Sequence, residues 1–271
     1  MKSLGDIGED ALVERLVKLA PTSARAGERP GDDCAVVDAG GVFLRLLKTD
    51  ALVEGIHYEP HADPVAVGWK AVARVVSDFA AMGGKAEHFL ATLALRKSMR
   101  LDWVEGLYVG MGKCLEKYGA ILVGGETCRV PEGSAAVISI SADGSVARDQ
   151  LVLRSGGNVG DELWVTGNLG GSLAGKHLSF LPRLEEAMWL AQHFKPSAMM
   201  DVSDGLAKDL PRLASASGRG FRIDERLVPR TEGCTLEQAL GDGEDYELLF
   251  SLAAGADVKP AWEGSFPSVA L

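Results

Sequence analysis

The chain has 271 residues, 46% hydrophobic and 24% charged, which suits one large domain or two ordinary ones and excludes a disordered or low-complexity chain. With 28 Lys and Arg against 38 Asp and Glu the formal charge is −10. Such a chain lacks the basic footprint of a general nucleic-acid binder, so no nucleic-acid partner is expected. Four cysteines, Cys34, Cys114, Cys128 and Cys234, lie far apart without a C-x-x-C pair. They suggest neither a zinc cluster nor a disulfide framework and point to a reducing cytoplasm. Asp6, Glu9, Asp10 and Glu14 contradict the layout of a signal peptide. No apolar run approaches the roughly 20 residues that cross a bilayer, so no membrane partner is expected either.

In chain order, Leu12, Val13, Leu16, Val17 and Leu19 recur at helical spacing and predict an amphipathic helix over 9–20. Strands follow at 34–37 and 42–49. Asp63-Pro64 supplies an N-cap acid and a first-turn proline, starting a long helix that runs to Met82-Gly83-Gly84 and carries Ser77-Asp78. Next come a strand over 88–95, a helix over 101–118 and a strand over 120–123 that should break at Gly124-Gly125. A strand over 135–142 should turn at Asp143-Gly144 as a hairpin. The glycine-dense stretch 154–161 is the expected domain boundary, dividing the chain into 1–149 and 150–271. Beyond it the pattern predicts a strand over 162–166, a helix through Leu173 and Leu178, a helix over 183–193, a strand over 199–202, a helix over 206–215 and a strand over 246–251. Strands and helices mix without strict βαβ alternation, which favours the α+β class.

Acids recur beside glycine or a hydroxyl residue where an element is interrupted: Gly31-Asp32-Asp33, Thr49-Asp50, Ser77-Asp78, Gly125-Glu126-Thr127 and Asp201-Val202-Ser203-Asp204-Gly205. Each alone reads as a turn or cap. Five together, several bordered by apolar runs, would repel one another if packed without cations. Magnesium prefers oxygen ligands and is held by one or two carboxylates plus substrate phosphates, so the set points to several metal ions and a polyphosphate ligand. One competing motif is Gly170-Gly171-Ser172-Leu173-Ala174-Gly175-Lys176-His177, close to G-x-x-x-x-G-K-[ST]. His177 stands where that loop needs a hydroxyl for magnesium, and the glycines serve equally well in a tight strand-to-helix turn.

The ordered set Gly31-Asp32-Asp33-Cys34-Ala35, Thr49-Asp50, Glu54-Gly55-Ile56-His57-Tyr58, Ser77-Asp78-Phe79-Ala80-Ala81-Met82-Gly83, Gly124-Gly125-Glu126-Thr127, Arg154-Ser155-Gly156, Asp201-Val202-Ser203-Asp204-Gly205-Leu206 and Gly243-Glu244-Asp245-Tyr246-Glu247-Leu248 resembles the thiamine-monophosphate kinase family, within the aminoimidazole ribonucleotide synthetase-like superfamily. The resemblance implies an N-terminal ATP- and metal-binding domain that dimerises through its sheet, and a C-terminal α/β domain, with the site in the cleft between them. It implies transfer of the γ-phosphoryl of ATP to thiamine monophosphate by a homodimer using several magnesium ions. Carried over by position, Asp33, Thr49, Asp50, Asp78, Glu126, Asp201 and Asp204 are metal ligands. Gly125, Glu126, Arg148, Gln150 and Ser203 contact ATP, and His57 and Glu244 face the thiamine substrate.

The pattern departs from the family at several points. Glu126 stands for the usual Asp, and Lys48 for a small hydroxyl residue, where its ammonium can take the place of a metal charge. Gln150 stands for a basic residue, so a phosphate contact there falls to Arg148. Asp242 interrupts a double glycine. The family's further C-terminal segment, with an aromatic that stacks on the substrate, is not expected before Leu271. Two alternatives stay open: a sister ATP-dependent enzyme of the superfamily acting on another substrate, and a non-catalytic nucleotide-binding descendant.

Overall fold

The computed structural model describes residues 3–22 and 30–271. Its helices and strands, in chain order, are α1 (Glu9–Val17), β1 (Ala35–Val37), β2 (Phe43–Val53), α2 (Pro64–Ala81), β3 (Lys85–Leu95), α3 (Leu101–Tyr118), β4 (Ile121–Arg129) and β5 (Val137–Ala147), followed by β6 (Glu162–Val165), α4 (Leu184–His193), β7 (Ala198–Val202), α5 (Leu206–Ala216), α6 (Leu236–Gly241), β8 (Glu247–Leu252) and α7 (Val258–Ser265). The fold is α+β, built on two sheets.

The first sheet has the order β1-β2-β5-β3-β4, antiparallel except for the β3–β4 pair, which α3 connects as a parallel crossover. Alternation along β2 and β5 turns Leu44, Leu46, Leu52, Ile138 and Ile140 inward, where they are buried with Val72, Val75, Val76 and Phe79 of α2. α2 begins as its caps require: the Asp63 carboxylate accepts a hydrogen bond from the Val65 amide at 3.1 Å, and Pro64 opens the helix. α2 and α3 approach backbone to backbone at Gly68 and Gly110, where a Cβ would collide with the Leu107 and Val65 carbonyls respectively. The outer face of the sheet is different. There Phe43, Leu47, Leu90, Ile121 and Val123 are exposed, and β4 is exposed along its whole length.

The second sheet is antiparallel in the order β6-β8-β7. Its period-2 pattern feeds two cores. Met200, Val202 and Leu249 pack with Leu206, Leu210 and Leu213 of α5, while Met199, Leu248 and Phe250 join the large core of the first sheet and α2. α2 therefore lies between the two sheets and carries side chains toward both, which is what positions the site. No helix among the described residues is long and apolar enough to cross a membrane.

Three expectations are corrected. Asp143-Gly144 is no hairpin: β5 runs straight through it, with Asp143 opposite Leu47 and Gly144 opposite Leu46 on β2. Gly144 serves close packing, since a Cβ there would meet the Lys85 carbonyl and the Phe79 ring. β4 likewise continues through Gly124-Gly125, which pair with Leu90 and Ala91. In place of a helix through Leu173 and Leu178 there are two short 3-10 turns, Ser172–Ala174 and Lys176–Leu178, parted by Gly175 at φ 135°. Helices α6 and α7 were not anticipated; Trp262 of α7 is fully buried and packs against Trp189 and Phe266.

Candidate active site

Three acids from distant segments meet in the interior. Asp33 lies two residues before β1, Asp78 in the last turns of α2 and Asp201 in β7. Each offers a carboxylate oxygen, and the three oxygens lie within 4.8 Å of one another. The residues are only 2, 7 and 3% exposed. Burial, opposed by Lys48, pushes the Asp78 carboxyl well above its ordinary range, with Asp201 and Asp33 adding to the rise. Burial, then the Asp33 charge, also raises Asp201, against the stabilising effect of the Ser77 hydroxyl, which donates to it at 2.6 Å. A buried, all-oxygen donor set whose charges conflict fits a hard divalent cation.

Two side chains supply positive charge to the cluster. Arg154 grips Asp33 through Nη2–Oδ1 at 2.5 Å and Nε–Oδ2 at 3.2 Å, and its backbone amide donates to Asp32. Lys48 Nζ lies 2.6 Å from Asp78 Oδ1. Burial works against the Lys48 ammonium, but Asp78, with Asp33 and Asp50, outweighs it and holds its pKa above the ordinary lysine value.

Strand alternation sorts the neighbours. Asp50 shares the inner face of β2 with Lys48 and pairs with Arg74 Nη2 of α2 at 3.1 Å. Thr49 faces the other way, and its hydroxyl accepts from Ser141 at 3.2 Å on the outer face of the sheet. Lys70, Arg74 and Asp78 stand four residues apart on α2 and so form one row along the helix. Lys70, fully buried, forms an ion pair with the Glu244 carboxylate and donates to the His57 carbonyl at 2.7 Å and His177 Nδ1 at 2.9 Å. His57 Nδ1 accepts from the Val53 amide at 3.0 Å, which leaves Nε2 to carry the proton of the neutral ring. Burial, then the Arg74 charge, lowers the His57 pKa and favours that neutral form.

None of the remaining expected residues belongs to the carboxylate cluster itself. Ser203 and Asp204 follow Asp201; their amides donate to the buried Asp209 carboxylate at 3.1 and 2.9 Å, and Asp204 pairs with Arg212. The Ser203 carbonyl accepts from the Glu244 amide at 2.8 Å, fastening the two acidic loops together. Gly125 and Glu126 lie on the exposed strand β4, outside the carboxylate cluster. Arg148 is held by Asp38 and the Gly41 carbonyl, and Gln150 closes a turn onto the Ala147 carbonyl at 2.9 Å. The glycine loop at 170–177 is already occupied by this chain's own acids. Asp245 and Asp242 accept from the Gly170 and Gly171 amides, and Lys176 reaches Glu247 at 3.2 Å. It therefore presents no open nest for a phosphate.

Sequence reading assigned no role to Lys70, Arg74, His177 or Ser77. The four-residue spacing of Lys70, Arg74 and Asp78 in an otherwise apolar helix is the signal that points to the first two.

Comparison with known proteins identifies the family. The family model for the AIR synthase related protein N-terminal domain matches residues 31–146, and that for the C-terminal domain matches residues 176–259. The chain is 32% identical to the thiamine-monophosphate kinase of Synechococcus elongatus, over 93% of this chain and 84% of that protein. A solved structure of AaThiL complexed with AMPPCP and TMP superposes with a TM-score of 0.83 at 29% identity, covering 93% of this chain and 87% of that one. A structure of thiamine monophosphate kinase from Aquifex aeolicus superposes with a TM-score of 0.79 at 29% identity, covering 93% and 90%. By sequence and by fold, the chain belongs to the thiamine-monophosphate kinase family.

Proposed function

We propose that this chain transfers the γ-phosphoryl group of ATP to thiamine monophosphate, giving thiamine diphosphate and ADP. The observation that carries this reading is the convergence of Asp33, Asp78 and Asp201 in one buried oxygen-donor set. The relatives named thiamine-monophosphate kinase, and the similar structure complexed with AMPPCP and TMP, support it.

In this reading Asp33, Asp50, Asp78 and Asp201 hold magnesium, several ions in all, with Asp204 and, outside the buried cluster, Thr49 and Glu126 as further ligands. Magnesium bound there supplies charge neutralisation between carboxylates and phosphates. Gly125, Glu126, Arg148, Gln150 and Ser203 contact ATP, and His57 and Glu244 face the thiamine substrate. The accepting atom is a phosphate oxygen already ionised at neutral pH, so the protein needs no general base. Its own work is to orient two anions for in-line attack and offset their repulsion. Lys48, Arg74 and Arg154 hold fixed positive charge beside the acids, and the neutral His57 ring presents an Nε2 donor.

The working unit is a homodimer. The exposed apolar side chains Leu47, Leu90, Ile121 and Val123 on the outer face of the first sheet support this, because a second copy would cover them. The two separate sheets support a division into an N-terminal domain over 1–149 and a C-terminal domain over 150–271. Four unpaired cysteines support a cytoplasmic setting.

The test is acceptor selectivity. Purified protein with ATP and magnesium is given thiamine monophosphate, thiamine or other phosphate-bearing acceptors in turn, and ADP release is followed. Release with thiamine monophosphate alone upholds the proposal; release only with another acceptor overturns it.

A further inference from the structure

We infer that Lys70 is a positioning residue for the acceptor side of the pocket, acting through Glu244. The inference rests on the proposed function and deepens it. Lys70 projects from the middle of α2, yet no part of its side chain reaches solvent. Its ammonium has three N–H donors and meets three acceptors, each from a different segment. It donates hydrogen bonds to the His57 carbonyl at 2.7 Å and His177 Nδ1 at 2.9 Å, and forms an ion pair with Glu244 Oε2 at 2.7 Å. A lysine is costly to bury, and this tripod of two hydrogen bonds and one ion pair offsets the cost only while all three partners stay in place.

The consequence falls on Glu244. Its backbone sits at φ 58°, in the left-handed region that a residue with a side chain rarely adopts, and Tyr246 two positions on sits at φ 52°. The loop is held there from several directions. The Glu244 amide donates to the Ser203 carbonyl and the Tyr246 amide to the Val202 carbonyl, both at 2.8 Å. The Tyr246 ring stacks on Phe180 with centroids 3.9 Å apart. Glu244 Oε2 takes the Lys70 ammonium and the Tyr246 hydroxyl, which fixes the carboxylate plane and leaves Oε1 without a partner among the described residues. Oε1 is thereby left as a single acceptor for a ligand with a hydrogen-bond donor. The same ammonium ties this loop to the segment of His57, whose Nε2 is the complementary donor. Lys70 thus sets the spacing between one acceptor and one donor brought in from opposite ends of the chain. His177, in the place where a nucleotide loop would have a hydroxyl, supplies the third leg of the tripod.

The test uses steady-state kinetics on the full chain with both substrates varied. In Lys70→Met, which keeps the volume and removes the ammonium, the KM for thiamine monophosphate is expected to rise about tenfold or more, the value of one charged hydrogen bond, with the KM for ATP within about twofold. In a Glu244→Gln background the same change should add less than about threefold, because the two residues act as one unit. His177→Leu should raise the KM for thiamine monophosphate, and His177→Gln, which keeps an acceptor, should restore it. A folded Lys70→Met with an unchanged KM for thiamine monophosphate, or with equal losses for both substrates, overturns the inference. Should Lys70→Met fail to fold, equal constants in His177→Leu, His177→Gln and the wild type overturn it. Failure of the wild type to release ADP with thiamine monophosphate would instead overturn the functional reading.

Discussion

The Lys48 ammonium lies 2.6 Å from the Asp78 carboxylate, so an acid of the buried cluster already has a cation tethered to the same chain. Ammonium and divalent ion compete for that oxygen. Lys48→Met is expected to tighten Mn2+ binding without nucleotide by about tenfold, read by electron paramagnetic resonance as loss of free Mn2+. In EDTA the same variant should be less stable by about 3 kcal/mol, because a buried charge loses its partner. Added Mg2+ should recover much of that loss, through binding to the folded state alone.

The Ser77 hydroxyl donates to Asp201 at 2.6 Å and joins α2 to β7 across the two sheets. Ser77→Ala should cost about 1.5–3 kcal/mol, the range for a hydrogen bond to a charged group. Urea denaturation in EDTA measures it, and a loss under about 0.5 kcal/mol would show the bond to be dispensable.

Asp245 is buried, and its burial raises its pKa against the bonds it accepts from Ser172 and Gly170. A carboxyl whose folded pKa is raised binds its proton more tightly in the folded state. Its contribution to stability is therefore greatest at low pH and is lost as pH rises above the unfolded value of 3.8. Asp245→Asn keeps an acceptor and abolishes the titration, so its stability should fall less between pH 4 and pH 7 than that of the wild type. Parallel denaturation curves at the two pH values check this.

Gly110 and Gly68 let α2 and α3 touch through their backbones. Gly110→Ala gains helix propensity but must force the helices apart, and overpacking of this kind costs roughly 1–3 kcal/mol or more. A lowered thermal midpoint is expected; a raised one would mean that the helices separate without cost.

Val123, on the exposed face of β4, tests the dimer. Val123→Glu places a charge where a second copy would pack and should shift the chain from dimer to monomer in sedimentation at micromolar concentration. A wild type that sediments as a monomer would remove the dimer from the proposal.

Much of this was legible before the fold was known. The Asp63-Pro64 start of α2 is local chemistry and lies where capping places it. The acids at Asp33, Asp78 and Asp201 stood out because each sits beside a glycine, a hydroxyl or an element end. What hid was everything that depends on tertiary contact. Gly144, Gly124 and Gly125 read as breaks because glycine bends chains, whereas here it lets strands and a neighbouring ring approach closely. The spacing of Lys70 from Arg74 and Asp78 marks it as unusual, but nothing local announces that three distant partners will converge on its ammonium. Thr49 and Asp50 are neighbours in sequence but face opposite sides of β2, a separation that the motif alone does not reveal.

The most direct measurement is chromatographic detection of thiamine diphosphate after incubation with ATP, Mg2+ and thiamine monophosphate, run side by side for the wild type and for Asp78→Asn. Product from the wild type that vanishes with EDTA and falls at least about a hundredfold in the variant is the expected result, since the cluster loses one of its charged oxygen ligands. Equal product from both proteins, or magnesium-independent product, would contradict a reaction centred on the buried acids.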